Sequence, residues 1–228
     1  MTINMKRKQL KLLLNDFELL SKTALTQMQI LTKLFEDNTI DILYEEVEQN
    51  EIMLDRLEIK VREEVVFTIL QFNPIASDLR KIITYQDVTT NLERVGDMIL
   101  NIIHYVKDPE FKLSAFTEEK NILQKMLKEV NGMLQDAIYS FVNEDTELAY
   151  KTIKHDDKVD KMFHQVNKDL TVKHAGKTLK EEDIKALINF SSIAQNFERI
   201  GDSATNIAEA AIYLTDGKDI RHGNEKEQ

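Results

Sequence analysis

Apolar residues recur along the first part of the chain at Leu10, Leu13, Phe17, Leu20, Ala24, Met28, Leu31 and Leu34. That spacing of three and four paints one stripe down a long helix. The polar run "FEDNTID" (35–41) interrupts it, and Thr39 is placed to cap a second helix beginning at Ile40. This second helix runs to about Gln71, because the residue before Pro74 is steered away from helical geometry. Ser77 is the expected cap of a third helix, ended by "KDPE" (107–110), where Asp108-Pro109 is the clearest interior break. Thr117 then caps a fourth helix to about Val142, and "NEDTE" (143–147) precedes a fifth to about Val172. After "KHAGKT" (173–178) a sixth spans about Leu179 to Leu214. The remainder is polar and reads as a frayed tail.

The second half repeats the first. Asn196 lies 105 positions after Asn91, and that offset carries "NLERVGDMILN" (91–101) onto "NFERIGDSATN" (196–206). It also carries Glu51 onto Asp156, Asp55 onto Asp160, Asp78 onto Asp183, and Leu54, Leu57 and Val61 onto Val159, Met162 and Val166. No gap is needed from about 51 to 106. Repeated supersecondary units of this kind imply an all-α fold of two antiparallel three-helix bundles related by a pseudo-twofold axis. The expected domains are 1–109 and 110–216, with 217–228 as the tail.

Composition agrees with this and excludes several functions. Two prolines and six glycines are few for 228 residues, and charged residues make up 31% of them. A net charge of −10 argues against direct nucleic-acid binding, which needs clustered cations at phosphates. The basic group Lys6, Arg7, Lys8 and Lys11 reads as a solvated helix end. With no cysteine there is no disulfide and no thiolate ligand. No apolar run approaches the ~18 residues of a membrane span, and no secretory signal follows the N-terminus, so a cytoplasmic protein without membrane insertion is expected.

The candidate chemistry lies in acid pairs one helical turn apart: Glu51/Asp55 and Glu93/Asp97, repeated as Asp156/Asp160 and Glu198/Asp202. Forty acids in 228 residues give about seven such pairs by chance, so one pair means little. Four pairs at matching places on neighbouring antiparallel helices mean more. Adjacent Arg94, Arg199, Arg56 and Lys161 point away from their own acids and cannot neutralise them alone. Carboxylates so spaced on facing helices can grip a hard cation such as Mg, Mn or iron, with zinc admissible, or they can form a solvated or salt-bridged face. Spacing leaves both open. Asn101 and Asn206 extend the same face, and Asp78 and Asp183 form a second tier whose simpler role is to meet the positive end of a helix dipole. Gly96 and Gly201 are best explained by close helix approach. No histidine forms a Glu-x-x-His pattern, and His164, one turn from Asp160, has Ile59 as its repeat mate and reads as incidental.

"NLERVGDMILN", "NFERIGDSATNIAEAAIYL", "NPIASDLRKI" and "EIMLDRLE" together resemble the PhoU family of phosphate-signalling regulators and phosphate-specific transport accessory proteins. The resemblance spans nearly the whole chain. It implies two tandem bundles, a homodimer, and multinuclear iron or zinc on the E/DxxxD motifs, here Glu51, Asp55, Glu93, Asp97, Asp156, Asp160, Glu198 and Asp202, with Mg or Mn as alternatives. It implies no enzymatic activity but negative regulation of phosphate-starvation signalling, linking the ATPase subunit of a phosphate ABC transporter to a sensor histidine kinase. The alternatives are a phosphate-permease accessory protein without kinase regulation, and a carboxylate-bridged di-metal enzyme.

Overall fold

A computed structural model of the chain describes residues 2–108, 111 and 116–220. Among them are six α-helices and no strand: α1 Thr2–Glu36, α2 Asp41–Phe72, α3 Ser77–Lys107, α4 Thr117–Asn143, α5 Thr146–His174 and α6 Glu181–Asp216. The apolar stripe of α1 faces inward, with Leu13, Phe17, Leu20, Ala24, Met28, Leu31 and Leu34 all buried. The Pro109 break, the side chains of Lys6, Arg7 and Lys8, and the tail beyond residue 220 lie outside the described residues.

Helices α1, α2 and α3 pack on one another, as do α4, α5 and α6, and the two units meet along α3 and α6, with α1 touching α4. The start of α5 falls 105 residues after that of α2, and α6 begins 104 after α3. Helices α3 and α6 run antiparallel across the seam. Asn206 donates to Asn91 at 3.2 Å. Eleven residues back along α3, Arg80 lies against Gly217, eleven residues further along α6. Because Asn91 stands five residues before Gly96 and Asn206 five after Gly201, the two glycines sit at one level of the seam. This is the pseudo-twofold relation that the repeat implies. Aromatic packing joins the halves further: Phe17, Tyr85 and Phe141, from α1, α3 and α4, form a triangle with ring centroids 4.9, 5.0 and 5.3 Å apart.

Three predicted caps are displaced by one residue. Helix α2 begins at Asp41 with Ile40 at its N-cap. Thr39 turns back instead, its hydroxyl donating to Asp37 Oδ1 at 2.7 Å, and these bonds hold the Asp37 carboxyl below its ordinary value. Ser77 and Thr117 are the first residues of α3 and α4, with Ala76 and Phe116 at the caps. Polar residues suit the first turn as well as the cap, so composition alone does not fix the register. A true side-chain cap occurs at α5, where Asp145 accepts from the Leu148 amide at 3.0 Å.

Candidate metal centre

The site begins at a close contact between α2 and α3. A Cβ on Gly96 would stand 2.5 Å from Leu54 Cδ1 and 2.7 Å from Glu51 Oε2. Glycine at that point lets the helix backbone sit directly on the side chains of α2, which offsets the ~1 kcal/mol that glycine costs inside a helix. In the second unit a Cβ on Gly201 would meet Asp156 Oδ1 at 3.0 Å and Val159 Cγ1 at 3.6 Å. Close approach is therefore the role of both glycines, and in each unit one of the atoms they admit belongs to the acid itself.

Around each glycine the four sequence-predicted acids come together. Glu51 is buried, 7% exposed, and burial is the first reason its carboxyl is pushed up to about 7; the nearby Asp97 and Asp55 carboxylates add to this. Glu93 is also raised, first by burial and then by Asp97, Glu58 and Asp55, while Arg94 opposes the rise. In the second unit Asp156 is pushed up to about 7 by burial, then by Asp160, Asp202 and Glu198. Glu198 and Asp202 are raised in the same way, again with burial first, and Arg199 opposes both. Each cluster thus concentrates negative charge that Arg94 and Arg199 offset only in part. Two buried oxygens, Glu51 Oε1 and Asp156 Oδ1, have no hydrogen-bond partner.

Other candidates fall elsewhere. Asp78 and Asp183 lie fifteen residues before Glu93 and Glu198, about 22 Å along their helices, too far to share an ion with either cluster. Asp183 accepts the Lys180 amide at 3.1 Å and so closes the start of α6, the simpler of its two expected roles. Asn101 is exposed, and Asn206 is turned to the seam and Asn91. Arg94 and Arg199 line a cavity of about 110 Å³ in that seam, with Asp202 and Asn206.

Three residues were not marked as site residues by the sequence. Glu58 is buried beside the first cluster and ion-paired to Arg62. The imidazole of His164 is the weakest of the groups that bear on Glu198, opposing its rise, so it borders the second cluster. Gln27, on α1, is fully buried and donates to Glu51 Oε2 at 3.1 Å. Only the approach of α1 could have revealed it.

The donor set is all oxygen and anionic, which suits hard cations, and the unpaired buried oxygens fit such a group. As the side chains stand, however, no three Asp, Glu or His groups among the described residues gather around one point fit to hold a metal ion. Binding would need carboxylate rotation within each cluster.

A duplicated helical bundle carrying one acidic cluster per repeat is the class of protein that these features define. The PhoU domain family profile covers residues 17–106 and 123–211. The chain belongs to the PhoU family. Among its relatives is the phosphate-specific transport system accessory protein PhoU homolog of Aquifex aeolicus, 35% identical over 193 residues, with 82% of each chain covered. PhoU homolog 1 of Thermotoga maritima is 31% identical over 186 residues, covering 79% of this chain and 76% of the relative. The crystal structure of PhoU from Pseudomonas aeruginosa superposes with a TM-score of 0.82 at 24% identity, covering 93% of this chain and 99% of that one. These relatives are named as accessory proteins, not as enzymes.

Proposed function

We propose that the chain is a cytoplasmic accessory protein of a phosphate transport system. In this reading it represses phosphate-starvation signalling by linking the transporter's ATPase subunit to a sensor histidine kinase. Family membership and the names of the relatives support the transport link. Among the described residues no helix is long and apolar enough to cross a membrane, which is compatible with this placement. The chain is proposed to act as a homodimer and without catalysis of its own.

The single observation that carries the metal part of the reading is the paired arrangement of Glu51/Asp55 with Glu93/Asp97, and of Asp156/Asp160 with Glu198/Asp202, each holding raised carboxyls and an unpaired buried oxygen. These eight residues would hold iron or zinc, or else Mg or Mn. A bound cation would supply positive charge where four carboxylates repel one another. The protein's part is mechanical: Gly96 and Gly201 hold α3 and α6 against α2 and α5, so the carboxylates bridge the two inner helices of each unit. With the repulsion balanced, the helix spacing is fixed, and with it the surface offered to partners. Coupling to those partners needs them to bind the balanced and unbalanced states differently.

Two experiments test the two parts. Deletion should raise expression of phosphate-scavenging genes in phosphate-rich medium; unchanged expression would remove the regulatory claim and leave a permease accessory role, which co-purification with the ATPase but not the kinase would support. Elemental analysis of the purified protein should show metal that an Asp97→Asn/Asp202→Asn double variant has lost. Equal metal in both would exclude these clusters.

A further inference from the structure

The two clusters are built from one repeated pattern, so the positions where the repeat breaks locally show what each unit does differently. Gln27 is the clearest. The 105-residue offset holds from about 51 to 106, but the two matched repeats start at 17 and 123, an offset of 106 that pairs Gln27 with Met133. Gln27 is 0% exposed, and its amide lies in the gap beneath Gly96: Nε2 donates to Glu51 Oε2 at 3.1 Å and to the Val47 carbonyl at 3.4 Å. Its own Oε1 has no hydrogen-bond partner and stands 3.0 Å from the point a Gly96 Cβ would take, a point only 2.7 Å from Glu51 Oε2. A fully buried amide carbonyl left unpaired is costly unless something meets it. The side chain brings a neutral oxygen from a third helix to the inner, buried side of the acid cluster. In the second unit Met133, on α4, takes its place: its Cε stands 3.8 Å from the point a Gly201 Cβ would take. A thioether is a poor ligand for a hard cation, and Met133 borders a groove of about 320 Å³ lined also by Lys151, Thr152 and His155.

We propose that Gln27 is a further ligand of the first metal cluster, giving a carbonyl oxygen from α1 through Oε1 while its Nε2 holds Glu51, and that the two clusters are therefore chemically unequal sites. This rests on the reading of the acid pairs as metal sites. A neutral oxygen raises the donor count without adding to the repulsion among the carboxylates, which is how amide and backbone carbonyls serve in oxygen-rich cation sites. The first site is then held by three helices, and the second by two. A cation in the first site ties α1 to α2 and α3, whereas one in the second leaves α4 untied.

The test uses the full chain and titrates Mn2+ and, in parallel, Zn2+ calorimetrically. The first cluster is isolated in an Asp156→Asn/Glu198→Gln/Asp202→Asn background, and the second in an Asp55→Asn/Glu93→Gln/Asp97→Asn background. Gln27→Met keeps the volume and removes both polar atoms; Gln27→Glu keeps an oxygen and loses the N–H. Gln27→Met should weaken the first cluster on the order of tenfold or more. Gln27→Glu should hold or tighten it, and neither should move the second. Circular dichroism checks that each variant keeps its helices. If Gln27→Glu falls as far as Gln27→Met, the residue acts only by positioning Glu51 and the ligand proposal is overturned. If neither substitution changes the first cluster, the proposal is overturned as well. If neither cluster binds either ion with Gln27 intact, the metal reading itself fails and takes the proposal with it.

Discussion

Replacing Glu51 by Gln should make the metal-free protein more stable at pH 8 and leave it nearly unchanged at pH 5. The Glu51 carboxyl is raised from 4.5 to about 7, chiefly by burial. The folded chain therefore holds a proton there that the unfolded chain has already released between about pH 4.5 and 7. Stability falls as pH rises through that window, because the native state is the one binding more protons. The shift corresponds to about 3 kcal/mol at full strength, and contact with solvent at the cluster mouth reduces it to about 2 kcal/mol. Asp156, raised from 3.8 to about 7, adds a loss of the same sign over a wider window in the second unit.

Glutamine has the shape of the protonated acid and cannot ionise. Its amide oxygen can still accept from Gln27 Nε2, so the buried contact survives the change. About 2 kcal/mol in a chain of this size moves the melting temperature by roughly 4–8 °C. The assay is thermal unfolding of chelator-treated protein from pH 5 to 9, followed by circular dichroism. The wild type should lose stability across the range, and Glu51→Gln should lose less and melt higher above pH 7. Excess metal should then reverse the order, since only the wild type retains the carboxylate. A variant that melts at or below the wild type at pH 8 without metal would refute the claim that buried, unbalanced charge resides at Glu51.

Two further substitutions follow from packing. Gly96→Ala should cost about 1–3 kcal/mol, because its Cβ would collide with Leu54 and Glu51, whereas Gly201→Ala, whose tightest contact is 3.0 Å with Asp156, should be close to neutral once helix propensity is counted; urea denaturation of both gives the comparison. Phe141→Ala should cost about 3–5 kcal/mol and loosen both units in one transition, since its ring is fully buried between Phe17 and Tyr85; a loss under ~1 kcal/mol in the same experiment would mean the aromatic triangle does not join them.

How much of this was legible in the sequence depended on the range over which each feature is determined. The stripe from Leu13 to Leu34 is local periodicity, and it buried as the spacing implied. The 105-residue repeat carried tertiary information because the second copy acts as a control: an acid retained at the same place twice is harder to dismiss as surface. The exact helix starts were misjudged by one residue: at Ser77 and Thr117 because a serine or threonine satisfies the first turn as readily as the cap, and at Asp41 because Thr39 turns back to Asp37. Gln27, Glu58 and His164 were missed as cluster residues for another reason. None belongs to a repeated pair: their mates are Met133, Phe163 and Ile59. The rule that found the eight acids was blind to whatever makes the two clusters different.

That difference bears on how the fold could respond as a whole. The acids lie where α3 and α6 are pressed against α2 and α5, and these same two helices form the seam between units. Gly96 and Gly201 stand at one level of that seam, so the two centres of charge flank it. Repulsion within either cluster pushes on a helix that the other unit also uses. Two identical clusters would load the seam evenly from both sides. Clusters that differ in Gln27 against Met133 would load it unevenly, and partial occupancy would then shift one unit relative to the other. A duplicated fold that kept one architecture while altering the donors on one side has the means for an asymmetric response, which two equal sites would lack.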